Sequence, residues 1–496
     1  MAANGDGGQL RISVSLSGGA SLGAYHAGVL AALTTAVQAL PDDELRLDAI
    51  GGASAGALAS MFAAHGLLNG LDTAELLYQA WVEQVSLEML RGRGSDAPLG
   101  FRQLRELLPG ELDVDRWSRS PHGPQDTPIG LHVSLTGLRG LRFDLETVDG
   151  RVMPAMTYAD WGEFVLQPRG GVEQLLTPEG ASVLDFVLAS AANPAGFGPE
   201  LLDRTYDRDA FASRRIEDLP GDGRLWYTDG SSISSEPIGR VLSLLDRVDD
   251  GARDARRIQL MVDPLSEIPK DSNAWTADAD RPTWLESLSR TLEIMPEQVL
   301  HDDLRRVQHV NNRFQRLDDL VDTLAPHLGE GAVAALHDVF DDDALPERDA
   351  DAATALREVV SRVAGLHGKS PVHLDFVSPL LVADRHDRDV PGLLAGELMS
   401  DFGGFADRRL RRSDFALGYE CVLAWLPEGL SRVDAADDVI ATAIDAAERH
   451  QRHRWADVEM GHAGMSDLPR SSRLQLLRLG VQTLRVIAHD VWRMIR

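Results

Sequence analysis

Gly52-Ala53-Ser54-Ala55-Gly56 follows the run Leu45-Arg46-Leu47-Asp48-Ala49-Ile50 after one further glycine, Gly51, and this segment is the most informative in the sequence. The run alternates apolar and polar residues as a β-strand does. The glycines allow a sharp turn between that strand and a small-residue helix predicted from Ala55 to about His65, so that the Ser54 hydroxyl projects above the end of a sheet. The alternative is an ordinary tight strand-to-helix turn without chemistry.

A second unit of the same kind precedes this one. Residues Arg11 to Ser17 alternate like a strand and lead into Gly18-Gly19-Ala20-Ser21-Leu22-Gly23, which is followed by a small-residue helix to about Leu40. Repeated strand–turn–helix units are typical of a parallel sheet. We therefore predict an α/β fold, with a largely parallel central sheet flanked by helices and an additional, mostly helical C-terminal region. Further strands are predicted at Ile129 to Leu135, Leu141 to Glu146, Leu225 to Tyr227, Ile258 to Val262 and Val372 to Val377.

Changes in composition and in the spacing of apolar residues along the sequence predict four regions. Residues 1–10 form a flexible N-terminus, and residues 11–265 form the α/β domain. Residues 266–440 form a mostly helical accessory region, because apolar residues recur there at helical spacing. Residues 441–496 form C-terminal helices, of which the last is basic and amphipathic.

Composition narrows the class of protein. The chain has 496 residues, 44% of them hydrophobic and 25% charged, as in ordinary globular proteins. A net charge of −28 argues against a nucleic-acid partner and against a strongly anionic membrane as a general docking surface. The single cysteine, Cys421, excludes an intramolecular disulfide and leaves no zinc-ligand spacing, so we predict no metal. No apolar run reaches about 18 residues and no signal-peptide pattern is visible, so we expect a cytoplasmic protein.

The last 27 residues differ in charge from the rest. From Arg470 to Arg496 there are six arginines and one aspartate, a net charge of +5. One apolar stripe runs along this segment through Leu474, Leu477, Val481, Leu484, Ala488, Val491 and Ile495. Two interpretations stay open: a basic amphipathic helix on a membrane surface, with Trp492 near its end, or a terminal helix packed on the protein with its arginines in solvent.

Acyl transfer needs a nucleophile, a base and donors for an oxyanion, and the sequence offers candidates for each. Ser54 is the candidate nucleophile. Backbone N–H groups of the Gly18-Gly19-Ala20 turn can face the same crevice, and the amide of Ala55 is a natural further donor. The competing interpretation of this turn is dinucleotide or phosphate binding. Its spacing does not match Gly-X-Gly-X-X-Gly, and no acidic residue closes the next strand.

The base is either a histidine or a carboxylate. The histidines downstream, which include His301, His309, His373 and His386, lie in helical or charged context. Asp229 follows the strand-like Leu225-Trp226-Tyr227 and begins a glycine-containing turn that could direct its carboxylate into the crevice. The alternative for Asp229 is a turn-forming Asp-Gly pair without chemistry.

Four blocks in this order resemble the patatin-like phospholipase family, in the long form found in bacteria. They are Gly18 to Gly23, Gly52 to Gly56, Ala189 to Pro199, and Asp229-Gly230 followed by Pro237. More loosely, Phe402 to Arg408 and Arg412 to Phe415 are similar to the C-terminal region of longer bacterial members. The region from the first of the four main blocks to the last makes up about half of the chain.

The resemblance implies a Ser–Asp dyad without histidine that acts on lipid acyl esters. Ser54 would be the nucleophile and Asp229 the general base. The oxyanion hole would comprise Gly18, Gly19 and Ala20, with Ala55 as the further donor, and neither a metal nor an organic cofactor is expected. The motif glycines are Gly23, Gly52, Gly56 and Gly230.

The chain departs from the family pattern at several positions. Ala20 stands where a third glycine is usual, Leu22 where Arg or Lys is common, and Ser231 where Gly or Ala follows Asp-Gly. Ser235 and Glu236 precede Pro237, where Asn is usual. These positions bear on rate and substrate more than on the dyad.

The sequence therefore predicts a serine lipid acyl hydrolase that releases fatty acid from phospholipids or related lipids through an acyl-serine intermediate. Two alternatives remain: a non-catalytic lipid-binding or scaffold protein of the same fold, and an acyltransferase that uses the same acyl-enzyme. The expected partner is a lipid substrate, met at a membrane surface if the protein is peripheral, and not nucleic acid.

Overall fold

The computed structural model describes residues 9–91, 97–147, 149–176, 180–216, 219, 221–234, 237–248, 255–264, 305, 308–328, 352–365, 372–386, 393–396, 401–454 and 468–495. The predicted departures at Ser235 and Glu236, the candidate base His301 and the N-terminus over residues 1–8 lie outside these ranges.

An eight-stranded sheet forms the centre of the protein. Its strands are β1 (Leu10–Leu16), β2 (Leu45–Gly52), β3 (Ile129–Glu146), β4 (Val152–Leu166), β5 (Glu200–Asp203), β6 (Arg224–Thr228), β7 (Arg256–Val262) and β8 (His373–Val377). Their order is β5-β6-β3-β2-β1-β7-β8, and β4 pairs with β3 as well. The central strands β7, β1, β2 and β3 are parallel, while β4 and β6 run antiparallel to β3. This confirms the predicted α/β fold with a parallel central sheet.

Two predicted strands are parts of one long strand. Residues 129–135 and 141–146 both lie in β3, which shifts register between Thr136 and Leu141. Strands β4 and β5 were not predicted, because β4 contains Pro154 and lacks regular alternation, and β5 has only four residues.

The described residues also form helices. They are α1 (Gly23–Gln38), α2 (Ala55–Leu68), α3 (Thr73–Tyr78), α4 (Leu87–Leu90), α5 (Arg102–Glu111), α6 (Glu173–Leu176), α7 (Val183–Ser190), α8 (Arg208–Ser213), α9 (Ile238–Val248), α10 (Ala352–Val363), α11 (Ala383–His386), α12 (Arg408–Ser431), α13 (Asp437–Arg454) and α14 (Arg470–Ile495). The segment Ala20–Gln38 is long and apolar enough to cross a bilayer by composition, but it is 89% buried within the protein. It is therefore the core helix that the sequence predicts after the first turn.

Two glycines bring α1 and α12 into close contact. A Cβ atom at Gly28 would lie 1.9 Å from the carbonyl oxygen of Phe415, and one at Gly418 would lie 2.2 Å from that of Tyr25. Only hydrogen at these positions permits such an approach of the two backbones. Cys421, on α12, is buried, and burial raises the pKa of its thiol to about 12. The C-terminal helix α12 is thus part of the core of the α/β domain.

The chain folds as two compact units. One comprises residues 1–300 and 374–496, and the other comprises residues 301–373. Within the second unit, buried Phe314, Leu317 and Val321 of the helical residues 308–324 pack with Leu356 of α10. The region boundaries predicted at residues 265 and 440 stay predictions.

Candidate active site

The serine turn connects β2 to α2. Ser54 has φ 54° and ψ −123°, a conformation that residues other than glycine rarely adopt and that lets a hydroxyl project from the end of a sheet. The flanking glycines are required by packing. A Cβ atom at Gly52 would lie 2.7 Å from the carbonyl oxygen of Leu16, and one at Gly56 would lie 2.6 Å from that of Ser17. The turn therefore lies directly against the end of β1.

Ser54 and Asp229 meet although 175 positions separate them. The Ser54 hydroxyl donates a hydrogen bond to Oδ2 of Asp229 over 3.0 Å. Ser54 is 3% exposed and Asp229 is 0% exposed. A carboxylate that accepts a hydrogen bond from a hydroxyl lies where it can take the proton of that hydroxyl. This geometry suits proton transfer from the Ser54 hydroxyl to the Asp229 carboxylate.

The surroundings of Asp229 set its basicity. Burial raises the pKa of this carboxyl above its usual range, and hydrogen bonds from Ser231, Ser54 and Asn193 lower it. Ser231 donates to Oδ1 twice, through its amide over 2.8 Å and its hydroxyl over 2.7 Å. One carboxylate oxygen is thus held by Ser231, and the other faces Ser54. A raised pKa makes an aspartate a better base than it is in water.

Two segments hold Asp229 at the end of β6. Its amide donates to the carbonyl oxygen of Ala192 over 3.1 Å, and the Thr228 hydroxyl donates to the same oxygen over 2.8 Å. On the other side, a Cβ atom at Gly230 would lie 2.1 Å from the carbonyl oxygen of Ser134 in β3. A side chain at position 230 would therefore displace the catalytic candidate.

The glycine-rich turn after β1 lies at the same edge of the sheet. Leu16 of β1 pairs with Gly52 of β2, so both turns leave the sheet at one level. A Cβ atom at Gly18 would lie 3.7 Å from Cβ of Ser54 and 2.5 Å from Cβ of Ser231. In the described part of the chain, the amides of Gly19, Ala20 and Ala55 donate to no protein acceptor. These amides are suited to an anionic oxygen.

Within this turn, Ala20 has a φ of 42°, in the left-handed region that favours glycine. Leu22 is fully buried, so the position where a basic residue is common contributes packing here. A Cβ atom at Gly23 would lie 2.1 Å from the ring of Trp81, so the packing of this ring leaves no room for a side chain at position 23. Core side chains therefore pack against this turn and fix its position.

Histidine does not take part in the described site. Burial lowers the pKa of His26 and of His132 to about 3, so both rings are neutral. His26 lies 3.3 Å from the Ser17 hydroxyl, and His386 lies 2.9 Å from Glu420. Among the described residues no histidine bonds to Ser54 or Asp229, and no cluster of His, Cys, Asp and Glu could hold a metal.

Comparison with known proteins agrees with this geometry. Residues 14–242 match the family described as patatin-like phospholipase. This part of the chain belongs to the patatin-like phospholipase family. Among solved structures, the crystal structure of VipD from Legionella pneumophila aligns with 96% of this chain and 91% of that chain, at 12% identity and a TM-score of 0.18. No curated protein matches the chain.

The patatin-like domain contains a supporting residue that the sequence did not reveal. The Ser54 amide donates to Oγ of Ser190, at the end of α7, over 2.9 Å. Ser190 lies in the Ala189–Pro199 block, which was noted as part of the resemblance without a role. Because Ala192 of the same block holds Asp229, this segment positions both members of the pair.

Residues beyond the matched region hold the turn of the patatin-like domain. The Ser21 hydroxyl donates to the carbonyl oxygen of Gly396 over 3.4 Å and accepts from the amide of Gly404 over 3.0 Å. Asp414 of α12 accepts from the amides of Ala395 and Gly396 over 2.7 and 2.9 Å. The C-terminal segment is thus bonded to the residue next to Ala20. Only the loose similarity at residues 402–408 and 412–415 pointed to this part of the chain.

Proposed function

We propose that the protein is a serine lipid acyl hydrolase that cleaves acyl esters of phospholipids or related lipids. The observation that carries this proposal is the 3.0 Å hydrogen bond from Ser54 Oγ to Asp229 Oδ2 at a buried strand-to-helix turn. Membership of residues 14–242 in the patatin-like phospholipase family supports a lipid substrate.

Asp229 takes the Ser54 proton as Oγ attacks the ester carbonyl carbon. The tetrahedral intermediate carries its negative charge beside the Gly18–Ala20 turn and the amide of Ala55, the first residue of α2. The backbone amides and the positive end of the helix stabilise that charge. Asp229 then gives the proton to the leaving alcohol, and an acyl-serine remains. Asp229 then takes a proton from water as the water oxygen attacks the acyl-serine carbonyl carbon. The bond to Ser54 Oγ breaks, Asp229 returns the proton to Oγ, and the fatty acid is released.

Replacement of the nucleophile tests this proposal. The purified protein and its Ser54→Ala variant are compared on phosphatidylcholine vesicles and on a soluble short-chain ester. The variant should lose about six orders of magnitude in rate, as a serine hydrolase does without its nucleophile. Ser60→Ala is a matched control. Ser60 is a buried serine of α2, the helix that follows Ser54, and its hydroxyl donates to the carbonyl oxygen of Gly56.

Ser60→Ala should hydrolyse both substrates at nearly the wild-type rate. Hydrolysis by Ser54→Ala at the wild-type rate would overturn the proposal. Lipid binding without hydrolysis by the wild type would contradict it in favour of a non-catalytic lipid-binding protein.

A further inference from the structure

The terminal helix α14 has two apolar faces. Leu476 and Val486 are buried, and they lie on one face with Ser472, since residues on one side of a helix recur every three to four positions. The stripe noted in the sequence lies on the opposite face. Its described large members are exposed: Leu474 by 47%, Leu477 by 66%, Val481 by 45% and Leu484 by 68%.

The charge beside this stripe contrasts with the rest of the chain. Arg478 and Arg485 are seven positions apart and lie along one side of the stripe, while Arg470 and Arg473 lie at its start. All four are exposed, and no carboxylate of a described residue pairs with any of them. Although the protein has a net charge of −28, four arginines with no carboxylate partner among the described residues lie next to exposed leucines.

We propose that the outer face of α14 docks on an anionic phospholipid surface. A helix that lies on a membrane has leucines on the buried side and arginines whose alkyl chains reach the headgroups. Positive charge within a Debye length of the surface contributes to binding, whereas acidic residues farther away are screened at physiological ionic strength. Both features are present on this one face.

A second copy of the chain fits this face less well. Pairing the same face of two copies around a twofold axis would bring the arginines of both helices together. A bilayer of anionic lipids instead supplies negative charge along the whole stripe.

A chain of contacts links α14 to the active site. α14 contacts the turn Gly403–Ala406, and the amide of Gly404 in that turn bonds to Ser21 beside Ala20. Docking would therefore hold a lipid surface on a helix that is joined to the glycine-rich turn. This inference goes beyond the proposed chemistry, and binding can be measured without turnover.

The test is cosedimentation of full-length Ser54→Ala protein with vesicles, so that hydrolysis cannot alter the lipid. We expect stronger binding to vesicles of phosphatidylcholine and phosphatidylserine than to phosphatidylcholine alone, and weaker binding as salt is added. Arg478→Gln and Arg485→Gln should each weaken binding about fivefold. Leu477→Asp should abolish it. Leu107→Asp is the matched control, because Leu107 is a 50% exposed leucine on α5 and should bind like the parent protein.

Equal binding to neutral and anionic vesicles, or an unchanged Leu477→Asp variant, would overturn the proposal. A dimer that Leu477→Asp dissociates, seen by light scattering in the absence of vesicle binding, would assign this face to self-association instead. Since every arm uses Ser54→Ala protein, failure here is distinct from failure of the proposed hydrolysis.

Discussion

The Ser231 hydroxyl lies 2.7 Å from Oδ1 of Asp229, on the side of the carboxylate opposite to Ser54. Ser231 stands where Gly or Ala is usual in the family. Because Gly and Ala have no hydroxyl, this side-chain hydrogen bond depends on the serine of the present chain. A hydroxyl that donates to a carboxylate stabilises its charged form and lowers its pKa. Ser231 therefore moderates the increase in pKa that burial imposes on Asp229.

Ser231→Ala should raise the pKa of Asp229 further, because the charged carboxylate loses one donor while the amide of residue 231 remains. Asp229 must be deprotonated to act as a base, so activity rises as the pH passes through its pKa. The acidic limb of the pH–rate profile should thus move to higher pH in the variant. The profile of kcat/KM measures this shift, and an unmoved acidic limb would contradict the assignment of Asp229 as base.

Ala20→Gly should stabilise the fold, because a φ of 42° is unfavourable for alanine and open to glycine. We expect a gain of about 0.5–1 kcal/mol in the free energy of unfolding, after the greater entropy of glycine in the unfolded chain is subtracted. Ala31→Gly, in the middle of α1, is the control and should cost about 1 kcal/mol. Denaturant unfolding measures both, and equal losses in the two variants would show that Ala20 is unstrained.

Gly418→Ala should destabilise the protein by more than about 2 kcal/mol, because the new Cβ atom would lie 2.2 Å from the carbonyl oxygen of Tyr25 and would force α1 and α12 apart. Gly480→Ala is a matched control in α14, where a Cβ atom meets nothing within 4 Å and should add up to about 1 kcal/mol of helix stability. Thermal unfolding distinguishes the two. Similar melting temperatures for both variants would mean that α12 does not pack on the α/β domain as described.

Asp414→Asn should lower kcat while KM changes little, because the segment that Asp414 holds bonds to Ser21 next to the proposed oxyanion turn. Replacing a carboxylate oxygen that accepts from a buried amide should also cost about 1–3 kcal/mol of stability. Steady-state kinetics on a soluble ester, at a temperature where circular dichroism shows the variant folded, separate the two effects. A folded variant with unchanged kcat would contradict the link between the C-terminal segment and the turn.

The parts of the site that could be predicted are those with a local signature. The turn around Ser54 and the glycine-rich turn after β1 each follow a parallel strand, and parallel strands place such turns at one edge of the sheet. The Asp229-Gly230 turn has a local signature too, but it follows β6, which runs antiparallel to β3, so its place beside Ser54 depends on the pairing of Thr228 with Thr136. The contacts of Ser190 and Ser21 could not be predicted, because each joins residues far apart in sequence through a single serine. Likewise, the apolar stripe of α14 could be predicted from the sequence, but only the packed structure shows that the stripe through Leu477 faces outward.

The most direct test of the central claim is labelling with a fluorophosphonate probe, followed by peptide mass mapping, on the wild type and on Asp229→Asn in parallel. A fluorophosphonate reacts only with a serine that an adjacent base activates. We predict an adduct on Ser54 in the wild type and a strongly reduced yield in Asp229→Asn, because asparagine cannot take the proton. Absence of an adduct on Ser54 in folded wild-type protein, with and without lipid vesicles, would contradict the Ser54–Asp229 dyad.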